Sequence, residues 1–450
     1  MRRHDEDIPI PSGAYPIGGS LAAEDVEQLA AVLDQGRPDD RPPVSKGFIA
    51  ILALGLFGAY IAFVTPIAIS LAIQVKAIAP DNESYLGLVL GVGSLAALVV
   101  GPLGGQLSDR TRSRFGRRRP WIFFGTLLGL VGLGIMASST TIFVLAVGWV
   151  VAQIGWSQAV STFLIVQADK LPESQRGRVG AITGFATMIA PVFGAVLGGL
   201  FATQPFVMFL LPGAIALLLV LVFLGFYKDA DSRGLLFDDK LTVRVALSKY
   251  VYNPRRYPDF SWNWLGRFLF FFGLTLSTSF TAYLYAQRLD LPVTEIGATV
   301  ATVGGIGILG TIGGVFFGGF LSDKLRRRKV FVLGSGILFA LGALVQVFST
   351  DFAILIVGAV LCNISIGVFS AVDQALILDV LPERETEAGR FMNITAFSTQ
   401  ISQAVAPIAG AGLLALTAEG GESNYTMVYI AAALFTIAGG FIVLRVKSVR

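Results

Sequence analysis

Between Phe48 and Val446 the chain alternates long apolar runs with short polar breaks, and twelve runs can be drawn. They cover 48–75, 86–107, 121–137, 142–168, 179–202 and 206–226, then 260–287, 298–321, 330–349, 353–378, 391–416 and 425–445. Most run to about 20 residues, which as α-helix at ~1.5 Å per residue crosses ~30 Å of hydrocarbon. The runs lack the strict apolar/polar alternation of a membrane barrel strand. The pattern therefore predicts an all-α membrane protein with twelve transmembrane helices.

The runs repeat. GGQLSDR at 104–110 returns as GGFLSDK at 318–324, each ending an apolar run and opening an arginine-rich turn. Asp169-Lys-Leu-Pro172 parallels Asp379-Val-Leu-Pro382, GRVGAITGFATMI at 177–189 parallels GRFMNITAFSTQI at 389–401, and Pro191-x-x-Gly194 parallels Pro407-x-x-Gly410. Such a duplication predicts two pseudo-symmetric six-helix bundles related by an axis along the membrane normal, with a cleft between them. The expected organisation is a flexible tail at 1–47, a bundle at 48–226, a polar linker at 227–259, a second bundle at 260–446 and a short tail at 447–450. A short helix over 20–35 is the one element the first tail could hold.

Composition supports the membrane assignment: 54% of residues are hydrophobic and 14% charged, more apolar surface than a water-soluble chain of 450 residues could hide. The net charge of +4 comes from placement rather than from a nucleic-acid surface. Of 34 Lys and Arg, 31 fall in the termini and alternate loops on one side, leaving Lys76 and Arg288 opposite and Arg267 inside a run. The positive-inside rule then puts both termini in the cytoplasm of a multi-pass protein of the plasma or inner membrane. A lone Cys362 excludes an intrachain disulfide. No metal-ligand spacing, nucleophile–base pair or phosphate-binding glycine loop is present, so neither an enzyme nor an ATP-driven pump is expected, and no cofactor.

GPLGGQLSDRTRSRFGRRRPWI at 101–122 resembles the loop between helices two and three of the major facilitator superfamily, and its SDR…SRFGRRRP form is similar to the sucrose-transporter and glycoside–pentoside–hexuronide cation-symporter branches. The resemblance implies a carrier, working as a monomer by alternating access on a small-molecule substrate. In that family the acid-plus-arginine turn latches one conformation. The carry-over marks Asp109 and Arg110, Asp323 and Lys324, with Asp169, Arg178, Asp379 and Arg390 in the repeated turns after the fourth span of each half. The physical basis is a carboxylate meeting a helix N-terminus; the plainer reading is that the arginines only set orientation.

Charges inside the spans are few and expensive. Arg267 and Asp373 lie at matching depth, roughly 10 Å and 9 Å from the basic end by helical rise. Paired, the guanidinium would hold the carboxylate ionised, and separation would let it take a proton, which is a route to proton coupling. The alternative is a static neutralising pair. Candidates for a hydroxyl-rich solute are Tyr60, Gln74, Gln153, Trp156, Ser157, Thr278, Tyr283, Asn363, Ser370 and Gln374, which bring amides, hydroxyls and aromatic rings to the first and fourth spans of each half.

Departures bound the reading. Leu164 stands where plant sucrose transporters carry an arginine, the single histidine is His4 in the tail, and 86–107 lacks the aspartates of sodium-using melibiose-type symporters. The expected function is secondary transport of a sugar or glycoside with proton symport. The rivals are a drug/proton antiporter of the same fold and a non-transporting membrane sensor or scaffold.

Overall fold

The computed structural model describes residues 41–234, 252–383, 387–417 and 424–449. His4, the possible helix at 20–35 and most of the linker lie outside them. The described residues form helices and no strand. In chain order these are α1 (Lys46–Ile78), α2 (Tyr85–Asp109), α3 (Arg119–Ala137), α4 (Ile142–Lys170), α5 (Glu173–Leu200) and α6 (Pro205–Phe226). The second half holds α7a (Pro258–Thr278) and α7b (Thr281–Leu289), α8 (Gly297–Leu325), α9 (Arg328–Val347), α10 (Phe352–Val380), α11 (Ala388–Thr417) and α12 (Tyr425–Val443). Eleven are long and apolar enough to cross a membrane, and twelve if α7a and α7b form one span bent by 46°.

The duplication is visible in the helix ends. α4 and α10 have identical length, and both begin on an extended cap residue, Thr141 or Asp351, whose side chain accepts from the backbone N–H three residues on. The first helix of each half breaks near the same repeat position: α1 passes through a π-turn at Pro66–Ser70, where proline has no N–H to donate, and α7 bends after Thr278.

Two faces follow from the chain's course, a basic face at the starts of α1 and α7a and a far face at their ends. Toward the far face, buried apolar side chains of both halves merge into one cluster, with Leu71, Leu86, Phe280 and Tyr425 among its members. Toward the basic face there are two separate clusters, one on Leu52, Phe163 and Phe223, the other on Phe260, Phe369 and Phe391. The halves pack on the far side and diverge below.

Glycines record the same divergence. Gly87 and Gly91 of α2 lie against Pro407 and Ile408 of α11 with no room for a Cβ. Gly105 sits on the same stripe, five turns or about 27 Å further along, and a Cβ there would meet nothing within 4 Å.

Candidate functional site

Arg267 on α7a and Asp373 on α10 form an ion pair with both side chains largely withdrawn from solvent. The guanidinium also lies 4.9 Å from the ring of Phe271, one turn on, a cation–π contact that shields it further. Its Nε finds no partner, and neither does the amide oxygen of Asn263 one turn before it. The pair is held by a stack of Phe270 on Phe369, centroids 3.6 Å apart, which docks α7a against α10. A buried pair with an unused donor is chemically able to exchange partners.

The predicted solute ligands divide. Ser370 and Gln374 are exposed one turn apart on α10, and Thr278 is exposed on α7a. Asn363 shares the Ser370 and Gln374 stripe, but its amide is engaged: it donates to the carbonyl of Ala359 at 2.9 Å and accepts from Thr311 at 3.2 Å. Tyr60 and Ser157 are half-buried, Tyr60 edge-on to Phe63 and Ser157 bonded back to Ile154.

Four expected ligands are buried in this conformation. Trp156 has no exposed surface, because its indole fills the space left by Gly129 between α3 and α4. Gln153 is buried beside Gly93 of α2. Gln74 donates to the Ser139 carbonyl at 3.0 Å, tying α1 to the turn before α4. Tyr283 is buried and donates to the Ala72 carbonyl at 2.8 Å, which crosses from α7b of one half to α1 of the other. Polar residue type and helical phase could not distinguish the ties made by Gln74 and Tyr283 from cavity walls, and the buried Gln153 Oε1 and Trp156 Nε1 find no partner.

On the basic face each half carries a clip. Arg118, at the cap of α3, reaches Asp109 at 2.7 Å and Asp169 at 3.1 Å, linking α2, α3 and α4. Arg328 at the start of α9 reaches Asp323 at 3.4 Å and also Asp379, linking α8, α9 and α10. Burial works against the charge of Arg118, yet the two carboxylates outweigh it and raise the guanidinium pKa above its ordinary value. Gly116, at φ 85°, lets the turn before Arg118 run close to Asp229, whose carboxylate accepts from the Arg118 N–H at 2.8 Å. Asp109 and Asp323 bond within their own halves in this conformation.

The other residues of the expected latch stand outside the clips. Arg110 caps α2, Lys324 lies over Phe320, Arg178 is exposed on α5, and Arg390 pairs with Glu387 at 2.7 Å. The hubs Arg118 and Arg328 were missed among the arginines that set orientation. A signal was present: they share the 210-residue offset of Asp169 and Asp379.

The comparisons agree with this architecture. The model of the family described as Major Facilitator Superfamily matches residues 47–315 and 298–450. A class H tetracycline resistance protein of Pasteurella multocida is 26% identical over 54% of this chain and 58% of its own length. The sialic acid transporter NanX of Escherichia coli K12 is 24% identical over 54% of this chain and 60% of its own. The chain thus spans little more than half the length of these relatives. Among solved structures, that of the nucleoside transporter NupG superposes with a TM-score of 0.70, covering 89% of this chain and 98% of that one at 11% identity. Helix count, duplicated clips and the match along both halves establish that the chain belongs to the Major Facilitator Superfamily of membrane transporters and is not an enzyme.

Proposed function

We propose that the protein is a proton-coupled symporter of a small polar solute, a sugar or glycoside, and that the basic face is cytoplasmic. The carrying observation is the Arg267–Asp373 pair, buried between α7a and α10 beside the exposed Ser370 and Gln374. In the low-dielectric interior the carboxylate has two ways to lose its charge problem: a guanidinium or a proton. Protonation frees Arg267, loosens α7a from α10, and lets the second bundle rock against the first. On this orientation the conformation described above is inward-facing. The clips at Arg118 and Arg328 then keep α2–α4 and α8–α10 rigid while Asp109 and Asp323 alternate between their own arginine and the opposite half. The halves 48–226 and 260–446 are the rocking bodies of this scheme.

Reconstituted vesicles test it. A pH gradient, acid outside, should drive accumulation of the transported sugar, and Asp373→Asn should retain equilibrative exchange while losing accumulation. Accumulation by Asp373→Asn would remove the coupling role. The likeness to a tetracycline resistance protein, together with Pro191 and Gly194 inside α5, favours a second reading as a drug/proton antiporter. Its signature in the same vesicles is gradient-driven movement of a hydrophobic cation against the proton flow, with no sugar uptake.

A further inference from the structure

A groove of about 530 Å³ opens where α3 starts and α6 ends, at the basic edge of the first bundle. α3 packs chiefly on α4 and α6, and α6 on α1 and α3, so both helices stand on the side of that bundle away from the second half. The groove therefore faces lipid. Its walls are the rings of Phe115, Phe123 and Phe124 with Leu221 and Leu224, and Phe124 is 65% exposed. Gly225 leaves the groove open at its α6 side, since a Cβ there would meet nothing within 4 Å.

At its rim the groove turns basic. Residues 110–119 hold six arginines and no acid, and the carboxylates of Asp109, Asp169 and Asp229 all bond to Arg118. Arg119 donates one N–H to the Leu224 carbonyl at 2.7 Å, and the Arg114 guanidinium lies 4.6 Å from the Phe115 ring. Among the described residues neither guanidinium reaches a carboxylate. Phe124 follows Arg119 in α3 and lies roughly 7 Å deeper along the helix. Positive charge at the rim with aromatic rings below it is the complement of a phosphodiester over an acyl chain. The duplication does not supply this arrangement: at the 210-residue offset, Leu325, Leu333 and Gly334 stand where the first half has Phe115, Phe123 and Phe124.

We propose that the groove binds one anionic phospholipid from the leaflet on the basic face, its acyl chain along Phe123, Phe124 and Leu221 and its phosphodiester accepting from Arg114 and Arg119. A free phosphate would leave the apolar walls uncovered, and a zwitterionic headgroup would bring its own cation against two guanidiniums. The lipid joins the start of α3 to the end of α6, whichever solute the protein carries. The competing occupant is the chain's own linker: Ser232 donates to the Thr111 carbonyl at 2.8 Å, so the chain passes the rim just before residue 235.

Native mass spectrometry of the full-length protein, titrated with dioleoylphosphatidylglycerol or dioleoylphosphatidylcholine, tests the site. One phosphatidylglycerol should bind about tenfold or more tightly than the first phosphatidylcholine, and glycerol 3-phosphate, the headgroup without chains, should not displace it. Arg114→Gln and Arg119→Gln should each weaken phosphatidylglycerol about fivefold, the effect of one basic residue at a membrane surface, and leave phosphatidylcholine unchanged. Gly225→Leu fills the groove and should abolish the tight binding without loss of thermal stability, leucine being the better helix former. Gly134→Leu, at the other end of α3 and in equally open surroundings, should keep it. Equal affinity for the two lipids, or tight binding that survives Gly225→Leu, would overturn the proposal. In equimolar vesicles of the two lipids, a p-benzoylphenylalanine at position 124 should cross-link to phosphatidylglycerol above its share. A cross-link to a peptide from 235–251 instead would assign the groove to the linker and overturn the lipid site.

Discussion

Gly199 of α5 meets Gly297 of α8 backbone to backbone where the two halves cross at the far face, and a Cβ built on Gly199 would lie 2.7 Å from the Gly297 Cα. Only hydrogen at both positions allows the far side to close. Gly199→Ala should therefore destabilise this conformation relative to the alternative one by about 1–3 kcal/mol, the usual cost of overpacking, which moves the equilibrium roughly 5- to 150-fold. Distances between spin labels on the far-face ends of α5 and α8 would register it as a longer population.

Glu83, between α1 and α2, joins the halves on the same face: it pairs with Lys76 of its own half at 2.5 Å and accepts from the phenol of Tyr425 in the other. Glu83→Gln should weaken both contacts and raise the far-open population by about tenfold, a loss of about 1.5 kcal/mol for one charge-assisted bond. Tyr425→Phe should reproduce the larger part of that shift without disturbing Lys76.

The clips differ in depth. The Arg118 side chain is 5% exposed and that of Arg328 is 25% exposed. Arg118→Ala empties the site of a nearly buried guanidinium and should cost about 2 kcal/mol, whereas Arg328→Ala should cost under about 1 kcal/mol because water already screens the Arg328 guanidinium itself. Thermal unfolding in detergent would order the variants, with Arg118→Lys between them, since an ammonium lacks the fork that spans Asp109 and Asp169.

The interior pair should be asymmetric under mutation. Asp373→Asn leaves Arg267 charged and uncompensated, so this variant should unfold at lower temperature than the double variant Arg267→Gln/Asp373→Asn, which removes both charges. A double variant no more stable than the single one would show that an unpaired Arg267 costs the fold nothing.

Gly129 provides a check on packing alone. A Cβ there would press on the Trp156 indole, within 2.5 Å of its ring, so Gly129→Ala should cost about 1–3 kcal/mol and lower the melting temperature without altering conformer distances.

Much of the fold was legible because membrane spans are long, apolar and repeated. The run at 142–168 became α4, which runs two residues further to Lys170, and the repeated turns marked where each half reverses direction. The run at 260–287 hid a break: nothing in FGLTLSTSFTAY announces the 46° bend after Thr278, which needs no proline once neighbouring side chains and carbonyls satisfy the freed backbone groups. The arginine of the interior pair and its carboxylate were legible as well, since a charge inside a span is conspicuous. Polar uncharged residues were not, because a glutamine that ties two helices and one that faces a solute carry the same hydropathy and the same helical phase.

What the sequence determined by itself is the set of spans, their duplication and the side that carries the basic loops, all of which follow from the solvent each segment must face. Only the tertiary structure decided which helix meets which, and that the halves close on each other at the far face and part at the basic one. That depends on close contacts such as Gly199 with Gly297 and Gly87 with Pro407, and on Asp109 turning to Arg118 within its own half. These are differences of a few kcal/mol between packings of the same helices, too small and too non-local to be written in the periodicity of any one segment.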